Sequence, residues 1–260
     1  MFCFWGSRKL ARLYDRGTGA PILVIPGLQG RWEWMRPALD ALAARRRTIS
    51  YSVQGTTFDE LVEQVDDVLD RKGLESAAIC GVSFGGLVAV KYAASRPRPT
   101  TALILVSCPS PAWTPNPIQA RYLARPWSST PAFLATTPGR LYPEIAAALD
   151  GPVARLRFSV THVGRILAAP IVPAGMAARM KLNPGLDLRT DCARVAAPAL
   201  VVSGERHLDR VVPVESTREY LDLICGAKYA MMERTGHLGL ITRPERFARI
   251  VGDFVDACSA

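Results

Sequence analysis

The chain has 260 residues, 49% of them hydrophobic and 21% charged, which suits one large domain with a sizeable core better than two independent ones. Its formal net charge is +9, a balance that suits nucleic acid, an anionic membrane or an acidic substrate. No nucleic-acid motif accompanies that charge, no segment is long and apolar enough to span a bilayer, and there is no low-complexity tract or internal repeat.

The apolar start, Met1-Phe2-Cys3-Phe4-Trp5, is very short and is followed by Arg8, Lys9 and Arg12. That reverses the order of a secretory signal, so we read a frayed or docked terminus rather than a membrane-touching tip. The cysteines Cys3, Cys80, Cys108, Cys192, Cys225 and Cys258 form no C-x-x-C pair and no zinc pattern with the histidines. They read as reduced thiols of a cytoplasmic protein, with no metal and no cofactor expected.

Strands and helices then alternate. Ile22-Leu23-Val24-Ile25 is a continuous apolar run of buried-strand type. A helix follows over roughly 34–45. It ends on Arg45-Arg46-Arg47, a basic cluster that reads as a solvated helix end, where positive charge is favoured. Thr48 to Val53 alternates like a strand. Phe58, Leu61, Val62, Val65, Val68 and Leu69 share one helix face, with Thr57 as N-cap and Glu60 three residues on. A strand at Ala77–Cys80, a helix from Gly86 and a buried strand at Thr101–Val106 complete the first half.

The rhythm stops at Pro109. Up to about Thr190 the chain carries prolines at 109, 111, 115, 117, 126, 131, 138, 143, 152, 170, 173 and 184, with short helical patterns such as Val153 to Leu167 and no strand. This segment, 109–190, is expected to be a helical insertion between two core segments, 1–108 and 191–260. It holds Arg121, Arg125, Arg140, Arg155, Arg157, Arg165, Arg179, Lys181 and Arg189 against Glu144, Asp150 and Asp187, nine less three or +6 of the whole charge. The bland reading makes these the outer faces of short helices; the sharper one makes the insertion favour an anionic substrate or rest on an anionic surface. Its apolar residues, Trp113, Trp127, Phe133, Leu134, Leu141, Tyr142, Phe158, Ile166, Ile171 and Met176, are expected to form its core and a pocket wall. Beyond it come a strand at Ala199–Ser203, a helix over 214–223, a strand at Lys228–Met232 and a closing helix over 244–255. Alternating βα units imply a mostly parallel sheet covered on both faces, with functional residues past the carboxyl ends of its strands.

Gly81-Val82-Ser83-Phe84-Gly85 reads G-x-S-x-G between a strand and a helix. Serine on that sharp turn has its hydroxyl pushed out above the sheet. To act as a nucleophile it needs a base, a group orienting the base, and donors for an oxyanion. His162 lies mid-insertion, where packing explains it, and His207 lies in the loop after the Ala199 strand. His237, in Thr235-Gly236-His237-Leu238-Gly239 after the last strand, is the base. The orienting acid comes from the 204–213 loop, where Asp209 is preferred to Glu205. Glu205 reads as a solvated residue or ion-pair partner, and the bland alternative for Asp209 is a salt bridge with Arg206 or Arg210. The turn Pro26-Gly27-Leu28-Gln29-Gly30 adds the amide of Leu28 to that of Phe84 as oxyanion donors.

Together the Pro26–Gly30 turn, the Gly81–Gly85 elbow, the Asp209-Arg210-Val211-Val212-Pro213 segment and Gly236-His237 resemble an α/β-hydrolase-fold enzyme of the esterase/lipase type, over about residues 10–108 and 195–257. The chain departs from that pattern at Pro26-Gly27, where many members have His-Gly, and at the acid. His207 stands three residues after Gly204, where many relatives place the aspartate, while Asp209 keeps the usual four-residue spacing to Pro213. The resemblance implies an α/β-hydrolase fold with the insertion as a helical cap. It also implies hydrolysis of carboxylic esters through an acyl-enzyme on Ser83, with a small-molecule ester as partner. The same triad acting on a lactone, thioester or carbon–carbon bond, or in acyl transfer, is the runner-up; a hydrolase-fold binding protein with little turnover is the reading from another class.

Overall fold

The computed structural model describes residues 13–115, 117–182 and 187–259. The expected N-terminal terminus with Cys3, and Pro184, lie outside the described residues, as do the side chains of Phe133 and Leu134.

Seven strands form one sheet in the order β1-β3-β2-β4-β5-β6-β7. They are β1 (Leu13–Arg16), β2 (Ile22–Ile25), β3 (Thr48–Tyr51), β4 (Ala77–Val82), β5 (Thr100–Val106), β6 (Ala199–Ser203) and β7 (Lys228–Met231). Every neighbouring pair is parallel except the antiparallel edge pair β1–β3. The helices are α1 (Arg36–Ala43, after a 3-10 turn at Trp32–Met35), α2 (Phe58–Arg71), α3 (Phe84–Ser95), α4 (Pro117–Ala124), α5 (Pro126–Ala148), α6 (Pro152–Ala168), α7 (Pro173–Lys181), α8 (Leu188–Arg194), α9 (Val214–Arg218), α10 (Tyr220–Leu223), α11 (Gly239–Thr242) and α12 (Pro244–Ser259).

The strand period of two sorts the core cleanly. Leu23, Ile25, Ile79, Leu103, Leu105 and Val201 pack with α2, α3 and α8 on one face. Ile22, Val24, Cys80, Ile104, Val106 and Val202 pack with α1 and α12 on the other. Both faces being covered explains why these strands read as unbroken apolar runs. Helix α3, central and buried on nearly every side, is apolar all round for the same reason. Thr57 caps α2 by accepting from the Glu60 amide at 3.2 Å. Glu60 reaches back one residue further than a capping box requires, to the Thr56 amide. From β2 the chain steps to β3 on one side, and from β4 to β5 on the other. The boundary between β2 and β4 is therefore the topological switch point, where the carboxyl ends of neighbouring strands leave a crevice.

Between β5 and β6 the described residues hold no strand, only helices. Prolines open α4, α5, α6 and α7, the first-turn position where a missing N–H does no harm. Residue 190 falls inside α8, and α8 belongs with the core: Leu188 and Cys192 are buried in the α3 face of the sheet. Helix α6 packs Phe158 and His162 towards the 3-10 turn, with Trp34 edge-on to His162. It buries no residue fully and leaves Val153, Leu156, Val160, Val163 and Leu167 more than half exposed. Among the described residues no single helix is long and apolar enough to cross a membrane.

Two sequence expectations are corrected. Trp127 and Tyr142 are exposed, at 66% and 58%, so they do not belong to the core of the insertion, whereas Met176 is buried and packs with Tyr122 and Met180. The Arg45–Arg47 cluster is not a solvated helix end. Arg45 pairs with Asp253, Arg46 with Asp256 and Arg47 with Asp15, which ties the end of α1 to α12 and β1.

Candidate active site

Ser83 lies between the end of β4 and the start of α3 with φ 53° and ψ −124°, a backbone conformation that side-chain-bearing residues rarely adopt. The turn is held by Ser83 N–H donating to Val106 O at 2.8 Å and by Gly86 N–H donating to Ser83 O at 2.9 Å. It is so tight that a Cβ on Gly81 would strike the Gly85 carbonyl, and one on Gly85 would strike the carbonyls of Ile25 and Pro26. The second contact brings the β4–α3 turn against the end of β2. A Cβ built on Gly27 would lie 3.3 Å from the Cβ of Ser83. The two turns predicted to share a site thus meet at the switch point. Among the described residues the amides of Leu28 and Phe84 donate to no protein acceptor.

His237 follows β7, and Asp209 lies in the β6–α9 loop. Nδ1 of His237 is 3.3 Å from Oδ2 of Asp209, whose side chain is 1% exposed. The other carboxylate oxygen accepts from the amides of Val211 at 3.0 Å and Val212 at 2.9 Å. Burial alone would raise the Asp209 carboxyl; the charge and hydrogen bond of His237 and the two amides outweigh it and hold it below the usual carboxylate range. Burial pulls the His237 imidazole down, but the charge and bond of Asp209, with the charge of Glu144, leave it above its ordinary value. This polarisation suits a base whose protonated form must be stabilised. Ser83 Oγ has no hydrogen-bond partner among the described residues, and no Ser83–His237 bond is present. Such links are often long before substrate binds.

The rival assignments find other uses. Glu205 is spent on the backbone, its Oε1 accepting from the Arg234 amide at 2.6 Å. His207 is 73% exposed beside Glu205. Arg206 pairs with Glu215, and Arg210 donates to the Gly139 carbonyl, so neither forms the salt bridge considered for Asp209. His162 is pushed down to about 4, by burial first and then by Arg165, in its aromatic setting on α6.

Two residues at the site were not singled out from sequence. Glu144, the one acid in α5, is 1% exposed, and its Oε2 accepts from the Leu238 amide at 2.8 Å. Burial pushes its carboxyl up to about 7 against that bond and the charge of His237, while the charge of Asp209 adds to the rise. Being one of only three acids in a strongly basic insertion was the available signal. Arg179 of α7 is 6% exposed, and its Nε donates to the Leu28 carbonyl at 2.8 Å. Its guanidinium is lowered to about 10 by burial and then by Arg31. Of the nine basic residues in the insertion it alone is buried, and nothing in its spacing distinguished it. Among the described residues no cluster of three His, Cys, Asp or Glu side chains could hold a metal ion.

Comparison with known proteins agrees with the fold. The chain is 28% identical over 270 residues to the 2-hydroxymuconate semialdehyde hydrolase of Pseudomonas sp. strain CF600, covering 95% of this chain and 91% of that one. It is 26% identical over 256 residues to a protein named as the carbamate hydrolase RutD of Pseudomonas savastanoi pv. phaseolicola, covering 92% and 95%. The esterase EaEST from Exiguobacterium antarcticum superposes with a TM-score of 0.76 at 18% identity, covering 94% of each chain. The family match itself spans residues 22–250, from the first buried strand to the closing helix. The chain belongs to the alpha/beta hydrolase family.

Proposed function

We propose that the protein is a serine hydrolase of carboxylic esters. Ser83 Oγ attacks the ester carbonyl while His237 takes its proton, and Asp209 keeps the imidazole oriented through Nδ1. The amides of Leu28 and Phe84 receive the developing oxyanion. His237 then protonates the departing alcohol. Water, deprotonated by His237, cleaves the acyl-enzyme to release the acid and restore Ser83. The observation that carries this reading is the buried Asp209 spent on His237 and two backbone amides. Among the described residues its only ionic partner is His237, the base of this reading. In this reading α4 to α7 cap Ser83, and the enzyme works on a small ester in the cytoplasm; the cysteines at 80, 108, 192, 225 and 258 are all free thiols.

One observation favours esters that carry an anionic group. Arg179 is a buried guanidinium with no carboxylate partner among the described residues, standing at the Leu28 turn. A buried unpaired charge is costly, and a ligand carboxylate would offset that cost.

A panel of p-nitrophenyl esters of different chain length tests the assignment, together with labelling by a fluorophosphonate. Ser83→Ala should abolish both turnover and labelling with the fold intact by circular dichroism. Turnover retained in that variant rejects the mechanism.

A further inference from the structure

We propose that Glu144 is a positioning residue for His237, reaching from inserted helix α5 to hold the histidine turn and to place a second negative charge beside the imidazole. The proposal rests on His237 being the base. Two contacts define the role. Oε2 accepts from Leu238 N–H at 2.8 Å, one residue past the histidine. It also lies so near the residue before it that a Cβ on Gly236 would come within 2.7 Å. Gly236 and Leu238 bracket His237, so one carboxylate oxygen sets the backbone on both sides of the imidazole.

Holding that turn does not itself need a charge, since a glutamine carbonyl would accept from Leu238 equally well. The remaining oxygen, Oε1, is buried and finds no hydrogen-bond partner among the described residues, an arrangement that costs free energy and adds no structural bond. No cation is bonded to the carboxylate among the described residues. Arg210 donates to Gly139 O, Arg234 to Ala147 O and Arg243 to Ala148 O. The charged groups left to sense it are His237 and Asp209, and its charge raises His237. A carboxylate kept where a neutral amide would do acts through the imidazolium that forms as Ser83 gives up its proton. Because α5 lies in the insertion, the segment that covers the site also tunes its base.

Glu144→Gln keeps the acceptor and the shape and removes the charge. Proton NMR titration of the histidine ring resonances, with His237→Gln to assign them, reads the coupling without any substrate. We expect the His237 pKa to fall by about 0.5 unit or more in Glu144→Gln. On p-nitrophenyl butyrate the acidic limb of kcat/KM should move to lower pH by the same amount, with kcat reduced and KM unchanged. An unmoved His237 titration overturns the proposal. If Glu144→Gln does not fold, the wild-type protein with carbon-13 in its glutamate carboxyls decides: His237 must respond as Glu144 titrates near neutrality, and independence of the two overturns the coupling. Ester turnover surviving Ser83→Ala would reject the serine mechanism but leave the NMR coupling intact, so the two failures are distinct.

Discussion

A carboxylate that is 1% exposed and has one oxygen unbonded among the described residues is a liability to the folded state, and its sign with pH can be worked out. With its folded pKa raised to about 7, Glu144 contributes fully below the unfolded value, and the contribution is lost as pH rises through 7. The span from 4.5 to about 7 corresponds to roughly 3 kcal/mol. Asp209, held low, works the other way: its contribution is present above the unfolded value and is lost in acid. Urea melts of Glu144→Gln should therefore show a flatter decline between about pH 5 and 8 than wild type. At Gly86 the sign needs no pH. A Cβ there would overlap the buried Cys108 sulfur, so Gly86→Ala should cost about 1–3 kcal/mol by overpacking, read from the urea midpoint. Arg179→Gln should slow hydrolysis of a carboxylate-bearing ester by about 10-fold or more relative to its neutral counterpart, about 1.4 kcal/mol. Equal losses on both would make the arginine a brace for the Leu28 turn alone. Ser83, Asp209 and His237 could be named from sequence because motif and chain order constrain them. Glu144 and Arg179 could not, because their significance is burial, and an isolated charge on a helix looks the same whether it faces water or the site.

At the scale of elements, the end of α5 is the most heavily serviced helix terminus described. Its last carbonyls lack intrahelical donors, as at any C-terminus. Here Arg155 donates to Ala146 and Leu149, Arg234 to Ala147 and Arg243 to Ala148. Cations at this end also meet the negative pole of the helix. Arg234 and Arg243 belong to the core, on either side of His237. Replacing both by Ala should lower stability by about 1 kcal/mol each and raise hydrogen exchange in residues 145–149 and 236–238 together. Loss of protection in α5 alone would mean that the two segments are not coupled. Proline positions foretold several helix starts in this region, since ring geometry suits a first turn. They hid the length of α5, which runs through Pro131, Pro138 and Pro143; Arg210 meets the Gly139 carbonyl that Pro143 leaves free. Strand β1 escaped notice because Leu-Tyr-Asp-Arg is too short and polar to alternate visibly. The expected 214–223 helix divides at Glu219 into α9 and α10, although the Glu219 backbone itself stays helical at φ −55° and ψ −29°.

For the whole molecule, the legible part was whatever two-sided burial writes into sequence. Parallel strands covered on both faces become apolar runs, and their alternation with helices fixes the layer order. Strand order was not readable, yet the switch between β2 and β4 is what sets the Leu28 and Ser83 turns side by side. The basic balance proved equally opaque, because charges that look like one cluster in sequence are distributed among distant partners. Arg45, Arg46 and Arg47 brace α12 and β1, and Lys91 on α3 meets the buried Asp191 of α8.

The arginine-held end of α5 also bears on how such proteins can be recombined. Exchanging inserted modules between relatives is an obvious route to new selectivity, with cuts at the strand ends near 108 and 190. Here those cuts would remove Glu144 and the carbonyls that receive Arg234 and Arg243, and would also divide α8. A graft that respects the wiring would leave residues 144–149 and α8 with the host, and replace only residues 109–143 and the chain between 149 and α8.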